Sequence, residues 1–335
     1  MADIAKRFPE NPLLRPADIR PSTARMKVEC LLNPGVFRFE GKTWLLLRVA
    51  ERPEQKPGKT SLPVLNEEGK LQILEFDNAD PQLDRSDPRV ISYAGQDYLT
   101  TMSHLRLVSS VDGIHFSESS PCAPILGQGE LESYGIEDCR VVQIGSTYYL
   151  TFTEVSSHGV GVGLRSTSDW HEIRQQGMIL APHNKDCAIF DEKIGGRYYA
   201  LHRPSSPALG GNYIWIAESP DLEHWGHHRC VAHTRKGMWD SVRVGAGASP
   251  IRTPKGWLEI YHGAAAHPTR YCLGALLLDL DEPWRVLARS QDPIMEPSAE
   301  YERAGFFGNV VFSNGHLVDG DQVTIYYGAS DSVIC

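Results

Sequence analysis

A hairpin unit recurs along this 335-residue chain and limits the folds that it can adopt. Each copy has a short apolar strand, a turn that contains glycine, an aromatic residue and a second strand of alternating or fully apolar residues. The copies lie at 37–49, 92–102, 143–153, 192–204 and 252–263, and their aromatic residues are Trp44, Tyr98, Tyr148, Tyr198 and Trp257. These aromatic residues are about 50 to 60 residues apart, a spacing typical of β-propeller blades. The segment 321–331 provides one more strand, which can close the ring with the N-terminal segment.

A second repeated element follows three of the hairpins. It has Ser and Asp turn residues and then a large aromatic residue, at 110–116, 166–170 and 219–225. Such turns suit the outer strands of a blade, and the aromatic residue is expected to fill the space between blades. Helical periodicity is almost absent, with one weak candidate around 11–27. The sequence therefore predicts an all-β, five-bladed β-propeller that forms one domain over 1–335, with 51–63 as one long loop rather than a domain boundary.

The composition excludes several classes of function. A net charge of −9 argues against a general binder of nucleic acid or of anionic membranes. No apolar run approaches the length of a membrane span, and the N-terminus lacks the apolar region of a signal peptide. The seven cysteines form no paired motif, which favours reduced thiols over disulfides or a zinc site. We therefore expect a soluble cytoplasmic protein that binds small molecules; a homo-oligomer is compatible with the sequence, which carries no mark of a subunit interface.

Polar residues at the ends of the predicted inner strands are expected to meet at the central channel of the propeller. Acids and bases recur at matching positions of successive repeats, a pattern that a solvated face with local ion pairs explains poorly. The set comprises Arg48, Arg52, Asp87, Arg89, Asp138, Arg140, Lys185, Asp186, His202, Arg203, Asp240, Arg243, His262 and Asp331.

One member of this set lies in a motif that resembles a known family. The stretch YGIEDCRVVQ at 134–143 is similar to the Gly-x-Glu-Asp-Pro-Arg motif of glycoside hydrolase family 130, whose mannoside phosphorylases and mannosidases are five-bladed β-propellers. The stretches NPGVFRF, HNKDCAIF, LHRP, RVGAG and YYGASD also resemble that family, so the likeness extends from about residue 10 to 331. The most similar branch acts on β-1,2-linked mannose. Cys139 stands where the motif usually has Pro, a change that leaves both acids and Arg140 in place.

The resemblance implies an inverting phosphorolysis. Inorganic phosphate attacks C1 of the non-reducing β-mannosyl unit and yields α-mannose 1-phosphate and a shortened sugar. One acid must protonate the leaving oxygen, and no carboxylate base is needed because phosphate is the nucleophile. Asp138 matches the family's general acid, and its proton is expected to pass through the sugar 3-hydroxyl.

The resemblance also assigns the remaining site residues by motif position. Because phosphate is a dianion, its site needs fixed cations, for which the candidates are Arg48, Arg165, Lys185 and His262. The candidates for binding the mannoside are Asn33, Asp87, Arg89, Glu137, Arg140, Asp186, His202, Arg203, Asp240 and Arg243. Neither a metal ion nor an organic cofactor is expected.

Each assignment has a purely structural alternative. Arg48 could pair with Asp87, and Lys185 with Asp186 could form a simple turn ion pair. His262 could be a core histidine that donates to a backbone carbonyl. The glycines of HGVGVG at 158–163 do not have the spacing of a phosphate-binding loop, so we interpret this stretch as a strand.

Two other functions stay open at this point. The first is an inverting β-1,2-mannosidase of the same fold, in which water replaces phosphate and a second carboxylate acts as base; the candidates are Glu132, Glu137, Glu154 and Glu302. The second is a non-catalytic carbohydrate-binding propeller. The cationic set favours the phosphorylase over the mannosidase, and an acid at the channel, Asp138, counts against the non-catalytic protein.

Overall fold

The structure is a computed structural model that describes residues 3–66, 68–87, 89–118, 124–205 and 211–335. Within these ranges the helical structure is limited to two 3-10 turns, Pro16–Asp18 and Glu130–Glu132, and the four-residue helix α1 (Glu300–Arg303). All other regular structure consists of strands. No helix in the described part of the chain is long and apolar enough to cross a membrane.

The first sheet is interrupted by an insertion. Its first two strands are β1 (Met26–Phe39) and β2 (Lys42–Pro53). The insertion holds a hairpin of β3 (Lys59–Leu65) and β4 (Leu71–Asp77) and a small sheet of β5 (Leu83–Asp84), β6 (Val90–Tyr93) and β7 (Gln96–Leu99). The chain then returns as β8 (Met102–Ser110), which pairs with β2 and completes the order β1-β2-β8.

Four further antiparallel sheets follow in chain order. The second consists of β9 (Ile136–Ile144), β10 (Thr147–Ser156), β11 (Gly159–Thr167) and β12 (Arg174–Leu180). The third consists of β13 (Asn184–Ile189), β14 (Tyr198–Pro204), β15 (Ile214–Ser219) and β16 (Gly226–Ala232). The fourth consists of β17 (Arg243–Gly245), β18 (Ile251–Thr253), β19 (Gly256–Ala266), β20 (Thr269–Leu278) and β21 (Val286–Arg289). The fifth consists of β22 (Val311–Asp319), β23 (Gln322–Ala329) and β24 (Val333–Ile334), and Leu14 bridges to Ile334 beside it.

These five sheets are the blades of a five-bladed β-propeller, as the sequence predicts. The first strands of the blades meet around the centre: β1 contacts β9 and β22, and β9 also contacts β13. Aromatic side chains fill the space between blades. Trp170 stacks on Phe37 with ring centroids 4.0 Å apart, and Phe116 lies edge-on to Tyr326 at 5.7 Å. Both Trp170 and Phe116 belong to the repeated turn element, so its predicted role between blades is confirmed at these two positions.

The structure corrects three predictions of local structure. The hairpin at 92–102 is not a blade, because it pairs with β5 inside the insertion; the fifth blade is formed instead by the C-terminal strands. The segment 51–63 is not one long loop, because it contains the end of β2 and the start of β3. The weak helical candidate at 11–27 contains only a 3-10 turn and the start of β1.

Candidate active site

A shared bulge sets the direction of the polar residues on four of the five inner strands. In β1, β9, β13 and β22 the pairing register shifts so that two residues oppose one residue of the next strand. Such a bulge re-aims the side chains beside it. Asn33, Asp138 and Asp186 lie at three of these bulges with φ values of 21°, 50° and 54°. Asn and Asp tolerate this left-handed region better than most residues, which explains why they stand there.

Asp138, on the second blade, is held by groups from the first and third blades. Its Oδ1 accepts hydrogen bonds from Arg48 Nη1 at 2.9 Å and from Asn33 Nδ2 at 3.1 Å. Lys185 Nζ lies 3.7 Å from Oδ2. Arg48 also binds Glu137 Oε1 through Nη2 at 2.8 Å and Ser103 Oγ through Nε at 2.9 Å. The structure therefore brings together the predicted acid and two of the four predicted phosphate cations.

These cations control the charge of Asp138, whose side chain is only 5% exposed. Burial by itself raises the pKa of this carboxyl group. The charges of Arg48, Lys185 and Arg140 outweigh that effect and hold the pKa of Asp138 well below its usual range. Asp138 is therefore a carboxylate when the site holds no anion.

Arg140 fixes the backbone on which Asp138 lies. Its guanidinium donates to the carbonyl oxygens of Asp138 at 2.8 Å, Ala246 at 2.8 Å and Gly247 at 2.9 Å. Its Nη2 also lies 3.3 Å from Asp186 Oδ1. Because a buried guanidinium with four acceptors has little freedom, Arg140 locks the second, third and fourth blades together beside the acid.

Asp186 is the centre of a buried charged cluster behind the site. Its Oδ2 forms an ion pair with Arg203 Nε at 2.8 Å and lies 3.3 Å from His262 Nε2. Burial opposes ionisation, yet the charge of Arg203, with the hydrogen bond of His262 and the charge of Arg140, keeps the pKa of Asp186 well below its usual range. Burial lowers the pKa of His262 to about 4, so this histidine is neutral at pH 7 and does not supply a fixed cation.

A cavity of about 290 Å³ opens above Asp138. Seven of the predicted site residues line it: Asn33, Arg48, Arg89, Asp138, Lys185, Arg203 and Arg243. The sequence analysis placed Asp331 at the channel but gave it no role, and it also lines the cavity; burial raises its pKa to about 6. Tyr271, Phe307 and Phe312 complete the wall, and no motif in the sequence pointed to them.

Four predicted residues do not line this cavity and have partners elsewhere. Arg165, on the third strand of its blade, pairs with Glu132 and lies over the Phe152 ring. His202 lies between Asn184 and His228. Asp240 is buried against Arg235 and Arg289, at 2.8 and 2.6 Å. Asp87 is exposed and pairs with Arg89 at 3.2 Å rather than with Arg48.

The carboxylates considered as a hydrolytic base are mostly remote from Asp138 or already paired. Glu132 is paired with Arg165, and burial together with Glu132 raises the pKa of the neighbouring Glu154 to about 8. Glu302 pairs with Arg7 at 2.7 Å. Glu137 lies beside Asp138 but binds Arg48. In the described residues no group of three or more His, Cys, Asp or Glu side chains is arranged to hold a metal ion.

Comparisons with known proteins agree with this geometry. The model of glycoside hydrolase family 130, described as beta-1,4-mannooligosaccharide phosphorylase, matches residues 85–335. The chain is 46% identical over 333 residues to beta-1,2-mannobiose phosphorylase of Listeria innocua, covering 97% of this chain and 93% of the relative. It is 38% identical over 237 residues to 1,2-beta-oligomannan phosphorylase of Thermoanaerobacter sp., covering 70% and 77%.

Two solved structures share the fold. The Listeria innocua enzyme in complex with beta-1,2-mannobiose superposes with a TM-score of 0.92 at 45% identity, covering 98% of this chain and 94% of that chain. A structure from work on family 130 hydrolases that target beta-1,2 mannosidic linkages in Candida mannan has a TM-score of 0.74 at 20% identity, covering 100% and 94%. At that lower identity the likeness shows the fold alone.

Proposed function

The chain belongs to glycoside hydrolase family 130, and on that basis we propose that it catalyses the inverting phosphorolysis of β-1,2-mannosides. Inorganic phosphate is the co-substrate, and the products are α-D-mannose 1-phosphate and a sugar shortened by one mannose. The names of the relatives from Listeria innocua and Thermoanaerobacter support this substrate class. The protein needs neither a metal ion nor an organic cofactor for this reaction, because phosphate itself is the nucleophile.

The observation that carries the proposal is the charge of the cavity wall. Two acids on the wall, Asp138 and Asp331, face a larger number of cations. These cations are Arg48, Arg89, Lys185, Arg203 and Arg243. Arginine offers paired donors and lysine a point charge, which are the groups that bind a phosphate dianion. Arg48, Arg89 and Arg203 are also paired with Glu137, Asp87 and Asp186, so the wall offers a concentration of cationic donors rather than a net positive charge. A site that only hydrolyses a neutral sugar has no use for so many cationic donors.

Phosphate also sets the protonation of the acid. A dianion bound beside Arg48 and Lys185 offsets the positive field that lowers the pKa of Asp138. The pKa of Asp138 therefore rises when phosphate binds, and the residue takes up the proton that the reaction needs. Asp138 then delivers this proton to the glycosidic oxygen through the 3-hydroxyl of the mannosyl unit, while Arg140 keeps the acid in position.

The alternative reaction, hydrolysis by water, needs a carboxylate base beside the sugar. Glu132, Glu154 and Glu302 are held in other parts of the molecule, and Glu137 is bound by Arg48. None of these four candidates lines the cavity, so their positions favour phosphate over water as the nucleophile. Asp331 does line the cavity, and the phosphate-free incubation described next also tests that carboxylate as a base.

The test is incubation of the protein with β-1,2-mannobiose in the presence and absence of inorganic phosphate. We expect α-mannose 1-phosphate and free mannose in equal amounts with phosphate, and negligible cleavage without it. NMR of the anomeric protons identifies both products and their configuration. Equal cleavage in phosphate-free buffer, with two mannose molecules from each disaccharide, would refute the phosphorylase and support the mannosidase.

A further inference from the structure

A second cavity adjoins the one that holds Asp138. Its volume is about 750 Å³, more than twice the 290 Å³ of the inner cavity. It is lined by Arg52, Ser86, Asp87, Arg89, Phe306 and Phe307. Arg89 and Phe307 line both cavities, so the second cavity lies directly beside the one that holds the acid.

Two adjacent phenylalanine rings face this second cavity. Phe306 is 52% exposed and Phe307 is 37% exposed, unusual values for side chains of this size. Exposed apolar surface at the mouth of a site commonly marks a place where a ligand binds. Phe306 lines only the second cavity, whereas Phe307 forms part of the wall between the two.

The segment that carries these rings is fixed to the fifth blade. The backbone N–H of Phe306 donates to Ser332 Oγ at 2.7 Å, and that of Phe307 donates to Ser330 O at 3.0 Å. Gly305 permits this close approach, because a Cβ there would lie 2.5 Å from Ser330 Cβ. Gly308 lets the segment pass close to Arg303, whose backbone oxygen would lie 2.3 Å from a Cβ at that position. The backbone that carries the two rings, which we call the platform, is therefore fixed before any ligand arrives, and this lowers the cost of binding.

The chemistry of the second cavity suits a sugar. A pyranose ring has an apolar C–H face that packs on an aromatic ring and a rim of hydroxyl groups that needs polar partners. Arg52, Asp87 and Arg89 supply these partners around the platform. Asp87 and Arg89 hold each other through a side-chain ion pair at 3.2 Å and a backbone N–H to carboxylate bond of 2.8 Å.

We propose that this second cavity binds the reducing-end sugars of a β-1,2-mannooligosaccharide and that Phe306 is the residue that selects for chain length. The inference rests on the proposed function, because the mannosyl unit that reacts must occupy the inner cavity beside Asp138. The second sugar then lies at the shared wall formed by Arg89 and Phe307. The third sugar stacks on Phe306, so the protein acts on oligosaccharides in preference to the disaccharide.

The experiment compares kcat/KM at saturating phosphate for β-1,2-mannobiose and β-1,2-mannotriose. We expect the wild-type protein to prefer the trisaccharide. Phe306→Ala should lower kcat/KM for the trisaccharide about tenfold, equivalent to about 1.4 kcal/mol, and change that for the disaccharide by less than about twofold. Phe306→Tyr keeps an aromatic face and should keep the preference. Leu287→Ala, a control at another exposed apolar residue (48% exposed), should change neither value.

Three results bear on the two proposals separately. Equal wild-type kcat/KM for the two sugars, or an equal loss on both in Phe306→Ala, would overturn the role of Phe306. Absence of phosphorolysis with either sugar would refute the proposed function instead. In that case calorimetric titration of β-1,2-mannotriose into the wild-type protein and Phe306→Ala decides whether the platform binds glycan: tighter binding by the wild type supports it, and equal binding overturns it.

Discussion

Replacement of Lys185 by methionine should separate the binding of phosphate from the binding of the mannoside. Lys185 Nζ is 3.7 Å from Asp138 Oδ2, and its side chain is 21% exposed at the cavity wall. Methionine keeps most of the length of the side chain and its apolar contacts but removes the charge. Any loss therefore reports on the ammonium group rather than on packing.

The size of the effect follows from the electrostatics of a partly solvated site. Two unit charges about 4 Å apart interact by about 4 kcal/mol at an effective dielectric constant of about 20. Solvent reaches Lys185, and Arg48, Arg203 and Arg243 remain on the wall, so part of this energy is retained. A loss of about 1.4 to 2.8 kcal/mol corresponds to a tenfold to hundredfold higher KM for phosphate. The KM for the mannoside should change by less than about threefold.

The assay is a pair of saturation curves for each protein, one in phosphate and one in β-1,2-mannobiose. Synthesis from α-mannose 1-phosphate should weaken in parallel, because this donor places its phosphate in the same cavity. Lys193→Met is the matched control: Lys193 belongs to the same blade, but its Nζ lies 4.5 Å from the Tyr198 ring centroid, away from the cavity. If Lys185→Met shifted only the disaccharide curve, the lysine would belong to a sugar subsite and the mannosidase would gain support.

Asp138→Asn should lower kcat at least about a hundredfold, because general acids contribute about that much or more. Glu137→Gln should lower kcat by a smaller factor. If steady-state rates showed the reverse order, the acid would be wrongly assigned. Arg165→Met should lower the thermal midpoint, because it leaves Glu132 buried without its cation, but keep the KM for phosphate within about twofold. A large rise in the KM for phosphate would show that Arg165 contributes to the phosphate site after all. Burial raises the pKa of Glu259 to about 8. The folded state therefore holds a proton that the unfolded chain releases above about pH 4.5. Because of this difference, the free energy of unfolding falls as the pH rises from about 4.5 to about 8. Glu259→Gln keeps an acceptor for the N–H of Gly247 but does not titrate. In scanning calorimetry, the thermal midpoint of this variant minus that of the wild type should therefore rise between pH 5 and pH 8. If this difference were the same at both pH values, the raised pKa would be contradicted.

Local patterns in the sequence were enough to predict four of the five blade hairpins. A hairpin depends on the alternation of its own strands and on its own turn, as in the turn between β1 and β2, where Glu40 and Gly41 both have positive φ. The same locality explains the error at 92–102. A hairpin pattern does not specify which sheet the hairpin joins, and this one pairs within the insertion.

The motif around Asp138 indicated the family and the acid, but the environment of the acid depends on residues far away in the chain. Arg48 is 90 residues from Asp138, and only the packing of the first blade against the second brings them to 2.9 Å. The bulges that aim Asn33, Asp138 and Asp186 toward the centre arise from register shifts against the partner strands. Such shifts are not visible in one strand's own sequence, because pairing decides them.

Charged residues that the sequence analysis assigned to one site have different surroundings in the tertiary structure. Arg165 lies on β11, which β9 and β10 separate from the centre, and it neutralises Glu132 there. Asp240 is neutralised by Arg235 and Arg289. The sequence by itself predicted most of the blade hairpins and a candidate acid, since these depend on neighbouring residues. The tertiary structure decided which charges face the cavity, because a buried charge must find a partner and that partner comes from whichever strand packs against it.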